Sequence, residues 1–291
     1  MTRIAVVGTG AVGASIAAWL IAAPEHDVTL CTRTPFATLR VETPDSVLET
    51  TPRLLTDPAD AAPVDWVLVV TKTYDAPGAQ AWLDRLVGPQ TNVAILQNGV
   101  EHRTRFPTLD PARIVPVIVD IPAERRAPGD VVQRRMGSLT VPDEPAGAAF
   151  AALFAHSPIE TILTDDWLSA AWRKLAVNCA GAVNALTLQP SGIAHDNEAA
   201  DLMHALIREC IAVGRAEGAT LPDDLPDRIV DGYRNSPADS INSIHADRLA
   251  GRATEADARN GVIARLGAKH GIAAPLNRMA DVVLRLSGRP S

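Results

Sequence analysis

The sequence predicts an α/β fold, with an N-terminal doubly wound parallel sheet followed by an all-helical C-terminal domain. Three observations carry this expectation. Short, continuous apolar runs at 3–7, 28–31, 66–70 and 93–96 alternate with helical stretches. Strands apolar on both faces need cover on both sides, which crossover helices provide. A glycine cluster separates the first run from the first helix. Beyond about residue 165, strand-like runs stop and Ala/Leu/Ile-rich helical periodicity takes over.

Taken in order, residues 3–7 (RIAVV) are β-prone, and a helix is expected over about 11–23. The runs VTLC at 28–31, WVLVV at 66–70 and VAIL at 93–96 read as further parallel strands, and 114–119 continues the pattern. The segment 131–141 (VVQRRMGSLTV) reads as a late β-hairpin or strand pair. Helices are expected at 166–188, 196–217, 223–235, 239–250, 255–269 and 275–287. The change of character near 160–167 sets two domains, 1–165 and 166–291, and the tail 287–291 is expected to fray. There is no internal repeat and no low-complexity linker.

A chain of 291 residues with 47% hydrophobic and 21% charged residues can bury a large core without disulfide or metal staples. The net charge of −7 gives no electrostatic footprint for nucleic acid. No apolar run reaches 18 residues, and the N-terminus runs straight into a strand pattern, so neither a membrane span nor a signal peptide is expected. Cys31, Cys179 and Cys210 show no C-x-x-C or Cys/His zinc spacing. They read as reduced thiols of a cytoplasmic protein without a metal site.

Gly8-Thr9-Gly10-Ala11-Val12-Gly13 follows a strand and opens a helix. Gly8 permits a tight turn, Gly10 lets the backbone approach a pyrophosphate, and Gly13 lets the helix pack against the strand. The helix N-terminus offers free N–H groups to phosphates. In this context the fingerprint marks a Rossmann-type dinucleotide-binding domain. The second strand ends Cys31-Thr32-Arg33, where an NAD enzyme would place Asp or Glu for the ribose diol. The missing acid favours NADP, and Arg33 is available for its 2′-phosphate unless it is a plain surface charge.

Ligands of open α/β sheets lie outside the carboxyl ends of the strands. Lys72 and Asn98 both stand there, although singly they also read as a surface lysine and a turn signal. In the second half, Lys174 and Asn178 share a helix face at i and i+4. Lys174 is either a snorkelling lysine or a desolvated one able to donate a proton to an alkoxide. Thr254-Glu255-Ala256-Asp257 has the spacing of a capping box, with Glu255 at the first helical position as a dipole-favoured carboxylate. Ser243, twelve residues before Glu255, is uninformative alone.

Together these motifs resemble the ketopantoate reductase family nearly end to end. The marks are VVGTGAVG at the start, TKTYD around Lys72, QNGV around Asn98, WRKLAVNC around Lys174, and S-x-x-x-D…G-R-x-T-E from Ser243 to Glu255. The resemblance implies Lys174 as general acid and Glu255 as the acid engaging the substrate's hydroxyl end. It implies Asn98 beside nicotinamide and substrate, Asn178 and Ser243 as substrate-binding residues, and Lys72 near the cofactor. It also implies NADPH-dependent reduction of 2-dehydropantoate to pantoate, a step toward pantothenate and coenzyme A. A small 2-keto acid is then the partner, without nucleic acid or membrane, and a homodimer is left open. Other readings are a related reductase of a different 2-keto acid or an imine, and a non-catalytic NADP-binding regulator. Retention of Lys174 and Glu255 argues against the regulator.

The chain also departs from the family pattern. Where a second asparagine often follows four residues after Asn178, it has Ala182, and the next asparagine is Asn184. At 100° per residue Asn184 leaves the face of Lys174 and Asn178 unless the helix bulges. The late motif reads Ser243-Ile244 and Glu255-Ala256-Asp257, where Ser-Met and Glu-Ile-Asp are frequent.

Overall fold

A computed structural model of the chain describes residues 1–287. The contacts divide it into two compact units. One comprises Met1–Gln97 and Glu101–Trp167; the other comprises Asn98–Val100 and the chain from Leu168 onward.

The first unit opens with β1 (Thr2–Val7), α1 (Ala11–Ala22) and β2 (His26–Cys31). It continues through β3 (Leu39–Glu42), β4 (Val47–Thr50), β5 (Arg53–Leu55), β6 (Trp66–Val69), α2 (Ala76–Leu86) and β7 (Asn92–Ile95). Then come β8 (Ile114–Pro116), β9 (Ile118–Asp120), β10 (Ala123–Ala127), β11 (Asp130–Gln133), β12 (Ser138–Pro142), α3 (Pro145–Ala152) and β13 (Glu160–Thr164). The main sheet has the order β5-β2-β1-β6-β7-β8, with every pairing parallel. The chain winds outward from β1 to β2 and β5, then crosses back to β6 on the other side of β1 and winds on to β7 and β8, so a topological switch point lies at the carboxyl ends of β1 and β6.

The apolar strand runs divide by parity, as a pleated sheet requires. Ile4 and Val6 of β1 join Leu30, Leu68 and Ala94 in the core against α1. Ala5 and Val7 join Cys31, Val67, Val69, Val93 and Ile95 in the core against Trp82, Leu83 and Leu86 of α2. Helix α1 is apolar almost all round because it is covered twice. It packs on β1 and β2, and also on β3, β4, β10 and β11 of a second sheet of order β10-β11-β3-β4.

Two expectations for this unit are corrected. The run 114–119 is not one strand: β8 pairs with β7 up to Pro116, and β9 pairs antiparallel with β12 in a third sheet. Val117 N–H still donates to the Ile95 carbonyl at 3.0 Å, so the missing N–H of Pro116 falls on the unpaired side of this edge strand, where proline is tolerated. The segment 131–141 holds two strands, but they do not pair with each other. β11 pairs with β10 and β3, while β12 pairs with β13 and β9. Gly137, at φ +74°, turns the chain between them. A Cβ there would meet the Asp120 carbonyl oxygen at 2.2 Å, so the turn is built against β9 rather than as a hairpin.

The second unit is helical: α4 (Trp167–Ala180), α5 (Ala182–Thr187), α6 (Asn197–Ala216), α7 (Leu225–Arg234) and α8 (Ser243–Leu249). A π-helical turn (Asp257–Gly261) runs into α9 (Val262–Lys269), and α10 (Pro275–Ser287) follows. The expected helix over 166–188 breaks at Gly181, where a Cβ would collide with Asn242 Nδ2 at 2.7 Å and the Tyr233 hydroxyl at 2.9 Å. The expected helix over 239–250 is shorter, starting at Ser243 behind an Asn242 cap. Trp172, Leu175, Met203, Leu206, Ile207 and Val262 form the core of this unit. Ser287 is still helical, and residues 288–291 of the expected frayed tail lie outside the described residues. No described helix is long and apolar enough to cross a membrane. Among the described residues, no group of three or more His, Cys, Asp or Glu could hold a metal ion.

Candidate active site

In the first unit the glycine loop crosses the carboxyl end of β1. Gly8 has φ +102°, which favours glycine, and its N–H donates to the Cys31 carbonyl at 3.1 Å. A Cβ on Gly8 would meet the Thr71 backbone nitrogen at 2.8 Å, so the loops after β1 and β6 touch at the switch point. A Cβ on Gly13 would lie 2.0 Å from the Gly8 carbonyl oxygen, whereas one on Gly10 would meet nothing within 4 Å. Ala11 and Val12 begin α1, whose first turn has no side-chain cap and no acidic residue. Uncapped N–H groups facing open space over Gly10 fit the pyrophosphate of a dinucleotide.

Around this loop, Thr9 Oγ1 donates to Thr32 Oγ1 at 2.8 Å, and Thr32 Oγ1 donates to the Thr34 carbonyl. Arg33 follows, 82% exposed, paired with Asp75 at 3.2 Å. An ion pair this exposed contributes at most about 1 kcal/mol, so the guanidinium is readily recruited by another anion. Lys72 stands at the start of a short 3₁₀ turn, Thr73–Asp75. Gln97 Nε2 donates to Thr71 Oγ1 at 2.9 Å, tying the ends of β6 and β7 together.

In the second unit, side chains from distant stretches meet. Asn98 Nδ2 donates to Glu255 Oε2 at 2.9 Å, and Asn178 Nδ2 donates to Asn98 Oδ1 at 3.4 Å. Lys174 lies one turn before Asn178 on α4 and is half-buried. Glu255 is 4% exposed. Ser243 opens α8, and its Oγ accepts from Arg259 Nη2 at 2.7 Å. The structure therefore brings Asn98, Asn178 and Glu255 into one hydrogen-bonded chain.

The capping-box expectation is corrected. Helical backbone starts at Ala256, one residue beyond the expected first position, and the Thr254 hydroxyl is buried without a hydrogen-bond partner. Glu255 precedes the helix and turns to Asn98 instead. Asn184 does not join the Asn98–Asn178 pair. Past the Gly181 break it is 1% exposed, donates to the Gln189 carbonyl and accepts from Asn242 Nδ2. Asn242 also caps α8 by accepting from the His245 N–H at 3.0 Å, so Asn184 acts on the residue before Ser243.

Arg259 and Asn242 escaped the sequence reading. Arg259 stands four residues after Glu255, one helical turn on, and that spacing was the available signal. Close by, burial pushes the Tyr233 hydroxyl up to about 12, and it donates to the Val177 carbonyl. All three cysteines are free and buried. Burial pushes the Cys31 thiol up to about 12 and raises Cys210 well above the ordinary thiol range, which removes them as nucleophiles at neutral pH.

Residues 4–145 match the family model for ketopantoate reductase PanE/ApbA, and residues 166–286 match its C-terminal counterpart. The chain is 61% identical over 285 residues to a 2-dehydropantoate 2-reductase of Caulobacter vibrioides, covering 98% of each. It is 39% identical over 289 residues to a Mycobacterium tuberculosis 2-dehydropantoate 2-reductase, covering 98% of this chain and 96% of that one. The crystal structure of a PanE/ApbA family ketopantoate reductase from Ralstonia eutropha superposes with a TM-score of 0.89 at 30% identity, covering 98% of both chains. The chain belongs to the ketopantoate reductase family of NAD(P)-dependent oxidoreductases.

Proposed function

We propose that the chain reduces 2-dehydropantoate to pantoate with NADPH. The observation that carries this reading is the Glu255–Asn98–Asn178 chain, beside Lys174 on the same helix as Asn178. It assembles one carboxylate, two amides and an ammonium from stretches far apart in sequence. Binding a nucleotide alone needs neither the carboxylate of Glu255 nor the ammonium of Lys174.

The dinucleotide binds on the Gly8–Gly13 loop, with Arg33 on the 2′-phosphate, Lys72 near the cofactor and Asn98 beside the nicotinamide. Bound there, NADPH supplies the hydride that C2 of the keto acid accepts. Negative charge then develops on the C2 oxygen. The Lys174 ammonium stabilises that charge and gives the oxygen its proton, which solvent later replaces. Asn178 and Asn98 orient the substrate. Glu255 accepts a hydrogen bond from the substrate's hydroxyl, and Ser243 engages its carboxylate end.

Substrate choice follows from the polar groups. A site built to hydrogen-bond a hydroxyl rejects analogues that lack it, because buried partners are left unpaired. NADPH oxidation measured with ketopantoate and with pyruvate tests the reading. Ketopantoate should be strongly preferred, and Glu255→Ala should erode that preference as well as the rate. Equal turnover of pyruvate by the parent protein would refute the substrate assignment.

A further inference from the structure

Arg259 lies in the π-helical turn and is 3% exposed. Its Nη2 donates to Ser243 Oγ at 2.7 Å, while its Nε is buried with no hydrogen-bond partner. A guanidinium stays charged at any accessible pH. One neutral hydroxyl does not replace the hydration such a group loses, and a buried charge without a counter-charge is destabilising.

The carboxylates of the surrounding elements are engaged elsewhere. Glu255 accepts from Asn98, and Asp257 pairs with Arg265. Asp247 pairs with Arg252 at 3.0 Å, and Asp281 pairs with Arg285 at 2.8 Å. Among the described residues Arg259 forms no ion pair. π-helical turns frequently mark functional positions in helices. This one carries a buried cation four residues after the buried carboxylate of Glu255.

We propose that Arg259 binds the substrate's carboxylate, its guanidinium taking one or both oxygens beside the Ser243 hydroxyl. The proposal rests on the reading above that the substrate is a 2-keto acid. Such an acid is an anion at neutral pH, and a planar guanidinium matches a carboxylate with two parallel N–H donors. The second unit then presents a cation for the carboxylate end of the substrate and, one turn away, an anion for its hydroxyl end. Arg259 thereby becomes a determinant of specificity for acids over uncharged ketones.

The test compares ketopantoate with ketopantoyl lactone, which keeps the ketone but lacks both the carboxylate and the free hydroxyl, so its slower turnover is read for each variant against the parent's turnover of the same lactone. Arg259→Leu removes the cation and retains an apolar stem. For the acid, KM should rise by about 10–150-fold, the worth of charge-assisted hydrogen bonds, with a smaller change in kcat. For the lactone kcat/KM should stay within about threefold, because no charged contact is lost. Pantoate affinity by calorimetry should fall with the acid's KM. A merely structural arginine would instead lower both substrates together. Should Arg259→Leu not fold, Arg259→Lys carries the test. A lysine keeps the charge but not the fork, so the acid-to-lactone ratio should fall about tenfold. A folded variant that keeps the parent's acid-to-lactone ratio overturns the proposal. A parent protein that reduces no 2-keto acid overturns the functional reading first, and the carboxylate assignment with it.

Discussion

Two glycines of one loop should fail in different ways when each gains a methyl group. At Gly13 the added Cβ falls 2.0 Å from the Gly8 carbonyl oxygen, far inside van der Waals contact, and the obstacle is backbone. Helix α1 must move away from β1, and overpacking of this kind costs about 1–3 kcal/mol. For a unit of this size, that lowers the melting temperature of the ligand-free protein by about 2–12 °C. At Gly10 the Cβ meets nothing within 4 Å, and the backbone at φ −69°, ψ −171° suits alanine. Gly10→Ala should therefore leave the ligand-free melting temperature within about 2 °C of the parent. The methyl group would stand where the pyrophosphate has to approach, breaking charge-assisted hydrogen bonds to backbone N–H groups. NADPH affinity should then fall by about 10–150-fold. Differential scanning fluorimetry without ligand and fluorescence titration with NADPH separate the two effects. Parent-like NADPH affinity in Gly10→Ala would refute the placement of the pyrophosphate.

Lys174→Ala should lose about 10²–10⁴-fold in kcat while NADPH affinity stays near that of the parent; near-normal turnover on the folded variant would move the proton donor elsewhere, with Lys72 next in line. Arg33→Ala should weaken NADPH binding at least tenfold and NADH binding little, and equal binding of both cofactors by the parent would contradict the 2′-phosphate assignment. Burial pushes the His102 imidazole down to about 3, so as pH falls the unfolded chain takes up this proton first. The stability it contributes is complete above about pH 6.5 and is lost between there and pH 3, amounting to about 2 kcal/mol between pH 7 and pH 5. The His102 ring packs edge-on against Trp167 at 5.2 Å, so His102→Phe keeps the packing and removes the titration. Urea unfolding at pH 7 and pH 5 should show a shallower pH dependence in this variant, and a parent-like slope would refute the assignment.

The sequence made the main sheet legible because its strands are buried on both faces and alternate with helices. Residues such as Ile4 and Val6 on one face and Ala5 and Val7 on the other have no polar partners to blur the pattern. The small sheets were not legible. Strands such as β10 (AERRA) and β4 (VLET) are too short and too polar for periodicity to mark. Their pairing is also long-range, as with β11 beside β3. Within the candidate site, motif order was enough to single out Asn98, Asn178, Ser243 and Glu255. Arg259 sits among charged residues of an ordinary helical pattern, and only the third dimension sets its guanidinium against Ser243. The π-helical turn and the break at Gly181 were equally hidden: the first is a local i→i+5 bond, Val262 N–H to the Asp257 carbonyl, inside an ordinary helical pattern, and the second reflects the close approach of Asn242 and Tyr233, distant in sequence, to Gly181.

The most direct measurement of the central claim follows the hydride itself. NADPH carrying deuterium at the transferable C4 position is incubated with ketopantoate and the parent protein, and the product is analysed by mass spectrometry and NMR. Direct transfer predicts pantoate with one deuterium at C2 and one equivalent of NADP⁺ per pantoate formed. Pantoate without deuterium, or no pantoate while NADPH binds tightly, would contradict it.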